Sequence, residues 1–199
     1  MSALHRAVLA AAAVAALTLV TSASAQTASA VGPSDVSGQA PPRRTVGFEL
    51  DALPFASGGY YGSLWLGADH LRLRGVVTRM TLPDFLVDDS FDESEMDVYA
   101  LIVDYMPRPG FSGPWLGAGI EYWDRSIASV TDGATAEWDN LVTTVGAGWV
   151  RKLLGDLYVN PWAAVHLVVG GDSEVRVGSS VYDVPRFVTE ASLKLGWHF

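Results

Sequence analysis

From Thr189 to Phe199 the chain alternates without a break: Ala191, Leu193, Leu195, Trp197 and Phe199 are apolar, while Glu190, Ser192, Lys194, Gly196 and His198 between them are polar or small. Strand side chains point to opposite faces with a period of two, so this stretch predicts a β-strand with one greasy face and one polar face. Such a strand must hide one face and needs neighbours to pair with, which constrains everything upstream of it.

The same pattern recurs through the preceding residues. Val46, Phe48, Leu50 and Ala52 oppose Gly47, Glu49, Asp51 and Leu53, which predicts a first strand ending at Pro54, followed by a short loop at Phe55 to Gly59. Further alternating segments run from Tyr60 to about Leu66, His70 to Val77, Met96 to Met106, Trp115 to about Ile127, Glu137 to Val150 and Leu157 to Val169, with Val184 to Phe199 as the last. Gly67-Ala68-Asp69 and Arg151 to Asp156 read as tight turns. Thr81 to Glu95, Ser129 to Ala136 and Gly170 to Asp183 read as longer polar loops, the first carrying Asp84, Asp88, Asp89, Asp92, Glu93 and Glu95 without a base. Pro107 to Pro114 is too proline-rich to hold a strand and predicts another connection. The expectation is an all-β fold of about eight strands.

Export is written in the first residues. Met1 to Ala25 has His5 and Arg6, an apolar run from Ala7 to Val20 broken only by Thr18, and the small residues Ala23-Ser24-Ala25 ahead of Gln26, which predicts a secretory signal peptide over 1–25. Residues 26–44, rich in Ala, Ser, Gly and Pro without periodicity, predict a flexible lead-in, leaving 45–199 as one domain. The chain holds no cysteine, which excludes disulfides, thiolate metal sites and a thiol-linked lipid anchor. Loss of Arg6 with the signal leaves 12 bases against 22 acids, a balance that argues against nucleic acid as a partner.

Alternation alone fits a soluble sandwich as well as a membrane barrel, since it does not say which face is wet. An amphipathic strand finishing on Phe199, with Leu193, Leu195 and Trp197 before it, resembles the C-terminal signal of bacterial outer-membrane barrels. The stretch from Thr45 to Phe199 resembles the small outer-membrane barrels of the OmpX and OmpW type. That resemblance implies an eight-stranded antiparallel up-and-down transmembrane β-barrel in the outer membrane of a Gram-negative envelope. It also implies contact with outer-membrane lipid and with the machinery that inserts barrels. Tyr105, Trp149, Trp197 and Phe199 would then line the periplasmic rim, and Tyr60, Tyr122 and Phe187 the external one, as aromatic girdles.

In that arrangement the polar faces turn inward and collect Glu49, Asp51, Arg72, Arg74, Asp104, Glu121, Arg125, Arg186, Glu190 and Lys194, a candidate charge network that would plug the interior. No cofactor or metal motif is present. His70, His166 and His198 have no nucleophile and base placed beside them, so the chain reads as non-catalytic. The leading functional expectation is a structural or surface-contact role through acidic loops whose outside partner is not specified by the residues. A barrel that binds or carries a small ligand or apolar solute, and a lipid-modifying enzyme, are the alternatives.

Overall fold

The computed structural model describes residues 44–81 and 89–199, and in it strands lie between almost every pair of turns that the alternation marks. In chain order the elements are β1 (Arg44–Asp51), α1 (Ala52–Ala56), β2 (Tyr60–Ala68), β3 (Leu71–Thr81), β4 (Phe91–Tyr105), β5 (Gly113–Ser129), β6 (Thr135–Leu154), β7 (Leu157–Gly171), β8 (Glu174–Val177), β9 (Ser180–Asp183) and β10 (Phe187–His198). Strands β1 to β7 and β10 form a closed antiparallel barrel in which each pairs with the next and β1 pairs with β10; β8 and β9 form a separate hairpin. Closure gives every strand a partner on both sides, although the short β1 meets β10 only from Gly47 to Asp51 and β2 only from Arg44 to Glu49. The predicted signal segment, residues 26–43 of the lead-in and residues 82–88 of the acidic loop lie outside the described residues.

Sidedness follows the alternation. Leu64, Leu101, Val103, Leu116, Ile120, Val145, Val165, Leu193 and Leu195 point away from the barrel and are exposed, while Glu49, Arg72, Arg74, Asp104, Glu121 and Lys194 are buried inside it. A soluble sandwich would bury the first set and wet the second. Tyr105, Trp149, Trp197 and Phe199 are exposed at one rim, Tyr60 and Phe187 at the other. The interior of a barrel of this strand number is just wide enough for its own side chains to fill.

At the end where β2 turns into β3 and β6 into β7, the mouth is closed by an aromatic floor. Trp65, Met106, Phe111, Trp115, Val150 and Tyr158 pack together there. Phe111 comes from the proline-rich connection between β4 and β5, which folds under the barrel and sets a ring against Trp65 at 5.3 Å. Gly67 makes room for it, since a Cβ there would stand 2.2 Å from the Phe111 ring.

Several local expectations are corrected. β1 stops at Asp51, whose side chain caps α1 by accepting from the Leu53 amide at 3.0 Å, so the Ala52 to Ala56 stretch is a helical turn and not strand and loop. His70 sits exposed in the β2–β3 turn, held by Nδ1 at 2.8 Å from the Met106 carbonyl, and does not face inward. β6 continues to Leu154, leaving Gly155 and Asp156 as the turn. Gly170 to Asp183 is not a polar loop throughout. It contains the β8–β9 hairpin, turning at Gly178 with φ of 60°. Val175, Val177 and Tyr182 of that hairpin, with Val184, pack on Phe91, Ile127 and Trp138 of the extended strand ends, because these alternating apolar residues find an apolar face beyond the barrel wall.

Candidate functional site

The chemistry-bearing residues meet in the interior, and register decides which of them touch. Above the aromatic floor β3 places Arg72 and Arg74 two residues apart on the inner face, opposite Asp104 of β4, while β1 brings Glu49 from the other side. Arg72 donates from Nε to Asp104 Oδ2 at 2.8 Å and from Nη1 to Glu49 Oε1 at 3.0 Å. Arg74 donates from Nε and Nη2 to the two Asp104 oxygens at 3.1 and 3.0 Å, a bidentate fork, and its Nη1 lies 3.6 Å from Glu49 Oε2. Both guanidinium groups lie over the Trp115 ring, Arg72 at 5.6 Å and Arg74 at 5.1 Å from its centre, a face that needs no hydrogen bond.

Glu49 is the hub. Its Oε1 also accepts from Tyr158 Oη at 3.1 Å and Asn160 Nδ2 at 3.0 Å, and Trp65 Nε1 donates onto Tyr158 Oη at 3.0 Å. Beside it Asp51 accepts from Trp162 Nε1 at 2.8 Å and from the Ser192 hydroxyl. Lys194 lies opposite Asp51 across the β1–β10 pairing, yet its ammonium stands over aromatic faces, 3.6 Å from the Trp162 ring centre and 4.9 Å from that of Tyr61.

A second group sits further up. Glu121 Oε2 accepts from Trp123 Nε1 at 2.7 Å and faces His166 Nδ1 at 3.1 Å; His166 Nε2 lies 3.5 Å from Glu190 Oε2. Both ring nitrogens thus face carboxylate oxygens. Arg125 is stacked between Trp123 at 5.2 Å and Trp138 at 5.5 Å and forms no ion pair with a described residue.

The ten charged residues expected inside therefore divide. Glu49, Asp51, Arg72, Arg74, Asp104 and Lys194 make one cluster, Glu121 and Glu190 join His166, and Arg125 stands apart. Arg186 is a correction: it lies exposed in the bend before β10, because that strand begins at Phe187 and not Val184. Alternation does not single out Trp65, Trp115, Tyr158 and Asn160, which join the acids in this cluster. Only the polar tips of these large residues on inward positions hinted at it.

Between the two groups is a cavity of about 50 Å³, bordered by Tyr61, Arg74, Lys194, Glu121, His166 and Glu190 on its polar side and by Val76, Met80, Met96, Val98 and Ile102 on its apolar side. That is room for about three to five waters. Among the described residues no group of three or more His, Asp or Glu could hold a metal ion.

Fold and interior together define a small eight-stranded barrel of the outer-membrane type. Among solved structures the chain is similar to the N-terminal β-barrel domain of OprF from Pseudomonas aeruginosa, with 15% identity and a TM-score of 0.55, covering 80% of this chain and 100% of that one. It also matches the neisserial surface protein A, NspA, with 13% identity and a TM-score of 0.45 over 78% of this chain and 94% of that one. The likeness to OprF is one of fold. No protein-family model and no curated protein matches the chain.

Proposed function

We propose that this protein is an axially closed outer-membrane anchor that holds a folded acidic surface outside the cell, with no catalytic role. Residence in the outer membrane is supported by the apolar outer wall, the two aromatic rims and the Leu193, Leu195, Trp197 and Phe199 face, which suits the barrel-insertion machinery. The observation that carries the structural role is occlusion in series: an aromatic floor, then the Glu49, Arg72, Arg74 and Asp104 cluster, then Arg125 held against the Trp123 and Trp138 rings above it. A water-filled pore needs a continuous column, and the cavity between the two polar groups has room for only a few waters.

The exposed side is ordered by its own contacts. Asp132, from the β5–β6 loop, accepts from the Ser179 amide at 3.2 Å and its hydroxyl at 3.3 Å, tying that loop to the tip of the β8–β9 hairpin. Asp89, Asp92, Glu95, Glu137, Asp139, Asp172, Glu174 and Asp183 are exposed on this side, which suits a cationic partner. Planar-bilayer recording on the refolded chain is expected to show no steady conductance. Steady single-channel currents abolished by Arg74→Ala would replace this reading with that of a narrow ion path.

A further inference from the structure

The exposed charges of the barrel are sorted by end. At the rim where β1 begins and β10 finishes, Arg44, Arg108, Arg151 and Lys152 are exposed beside only two acids, Asp69 and Asp156. At the other end Asp92, Glu95, Glu137 and Asp139 are exposed. Two of the bases attend one indole on the outer wall. Trp149 stands half exposed on β6, and the Arg108 guanidinium lies over its ring at 5.6 Å from the centre. Arg108 is set there by the start of β5: Gly113 turns with φ of 91°, and a Cβ on it would stand 2.9 Å from the Arg108 Cδ. Glycine at this point lets the arginine stem lie close against the backbone.

Arg151 follows Trp149 by two residues on the same strand, so the two share the outward face. Its register partner on β7 is Val159, which lies opposite Leu195 of β10, an exposed residue of the outer wall. A guanidinium is thus set at the lower edge of an apolar surface. Neither Arg108 nor Arg151 has an ion pair or a hydrogen bond with a described residue. An arginine whose stem lies on lipid-facing surface puts its head at the depth of the headgroups, beside an indole that favours the same depth. The acceptor that matches a guanidinium there is a phosphate, which takes two of its hydrogen bonds at once.

We propose that Arg108, Trp149 and Arg151 form a headgroup site on the outer wall for an anionic glycerophospholipid of the leaflet at the terminal end of the barrel. The phosphodiester accepts from the guanidinium groups, the glycerol backbone lies against the indole, and the acyl chains run along Leu116 and Val145. This rests on residence in the outer membrane, which puts that rim in a bilayer. Charge selects the lipid. A choline or ethanolamine head brings its own cation beside Arg151, whereas a glycerol head leaves the phosphate charge for the two arginines, and the acids of the far rim repel the same lipid. Trp149 is placed to report on occupancy.

The test uses the refolded full-length barrel in phosphatidylcholine vesicles, with tryptophan emission quenched by small fractions of dibrominated phosphatidylglycerol or dibrominated phosphatidylcholine. The anionic lipid is expected to quench in excess, with an apparent affinity about tenfold higher for two cations beside its head. That excess should vanish in Trp149→Phe and persist in Trp197→Phe at the same rim. It should fall to the phosphatidylcholine level when Arg108→Gln and Arg151→Gln are combined. Arg44→Gln combined with Lys152→Gln removes the same charge from β1 and from the inward side of β6, where Lys152 pairs with the buried Tyr158, and should keep the excess. Heat-modifiability on gels identifies the variants that remain folded. Equal quenching by the two bromolipids in the parent chain, or an equal loss of the excess in the two double variants, would overturn the proposal. Emission unquenched by either bromolipid would overturn membrane residence as well, so the two failures are told apart.

Discussion

The lower and upper halves of the interior solve the same problem by different means. Below, three carboxylates and three cationic groups, Glu49, Asp51, Asp104, Arg72, Arg74 and Lys194, occupy a space walled by Trp65, Trp115 and Tyr158. Above, Met96, Val98, Trp123 and Val142 pack with Met80, Ala100, Val168 and Val188, and Arg125 is held by indole faces instead of acids. The lower half is bound by directional contacts that tie β1, β3, β4 and β7 together, so it tolerates little change in geometry. In the upper half the directional contacts are confined to Trp123, Glu121, His166 and Glu190, and away from them shape governs, so a side chain of similar volume is accepted. A buried charge pair that loses one member is penalised heavily, whereas a stacked cation replaced by an apolar chain of like size loses no ion-pair partner.

The largest expected effect follows from removing a shared partner below. Asp104→Ala leaves both Arg72 and Arg74 without their forked acceptor, and a loss of about 3–5 kcal/mol is expected for breaking such a buried pair. Urea unfolding in vesicles, followed by tryptophan emission, reads this as a lowered midpoint. Arg72→Met should fall in the same range, since it strips Glu49 and Asp104 of one donor each. The matched change above, Arg125→Met, is expected to cost less than about 1.5 kcal/mol, as a volume-conserving swap between Trp123 and Trp138. Equal losses for the two methionine variants would erase the distinction between the halves.

A smaller effect belongs to the cap over the upper half. The Ser129 hydroxyl and the Ala134 and Ser179 amides hold the Asp132 carboxyl below the ordinary carboxylate range. A depressed folded value means that the contact is fully present above the ordinary pKa and is lost as pH falls through the folded one. Protease nicking between Asp172 and Asp183 should therefore accelerate severalfold in acid, and Asp132→Asn should nick at the acid rate at neutral pH. A nicking rate independent of pH and of this substitution would show that the Val175, Val177 and Tyr182 packing alone seats the hairpin.

Much of this was legible in the alternation, because a period of two reports the two faces of a strand directly. Leu141, Thr143, Val145, Ala147 and Trp149 face out, and Asn140, Val142 and Thr144 face in, as their spacing predicts. What alternation does not carry is register, and pairing among the charges is a matter of register. Nothing in the chain alone says that Asp104 lies beside Arg72 while Arg125 lies beside Trp138. Two other features had signals that a uniform search for strands passes over. Asp51 as a cap with Pro54 in the first turn marks a helix start, and Gly178-Ser179 between Val175, Val177 and Val181 marks a hairpin. Arg186 shows the opposite error, a charge assigned to the interior by extending a strand past its end.

Oily residues face lipid and charged ones face each other, and labelled single-cysteine variants test this most directly, since the chain has no cysteine of its own. A bimane label at Val145→Cys or Leu101→Cys in vesicles containing doxyl lipids should be strongly quenched, and one at the neighbouring inward Thr144→Cys or Ala100→Cys should be shielded. Strong quenching at the inward pair with shielding at the outward pair would contradict it.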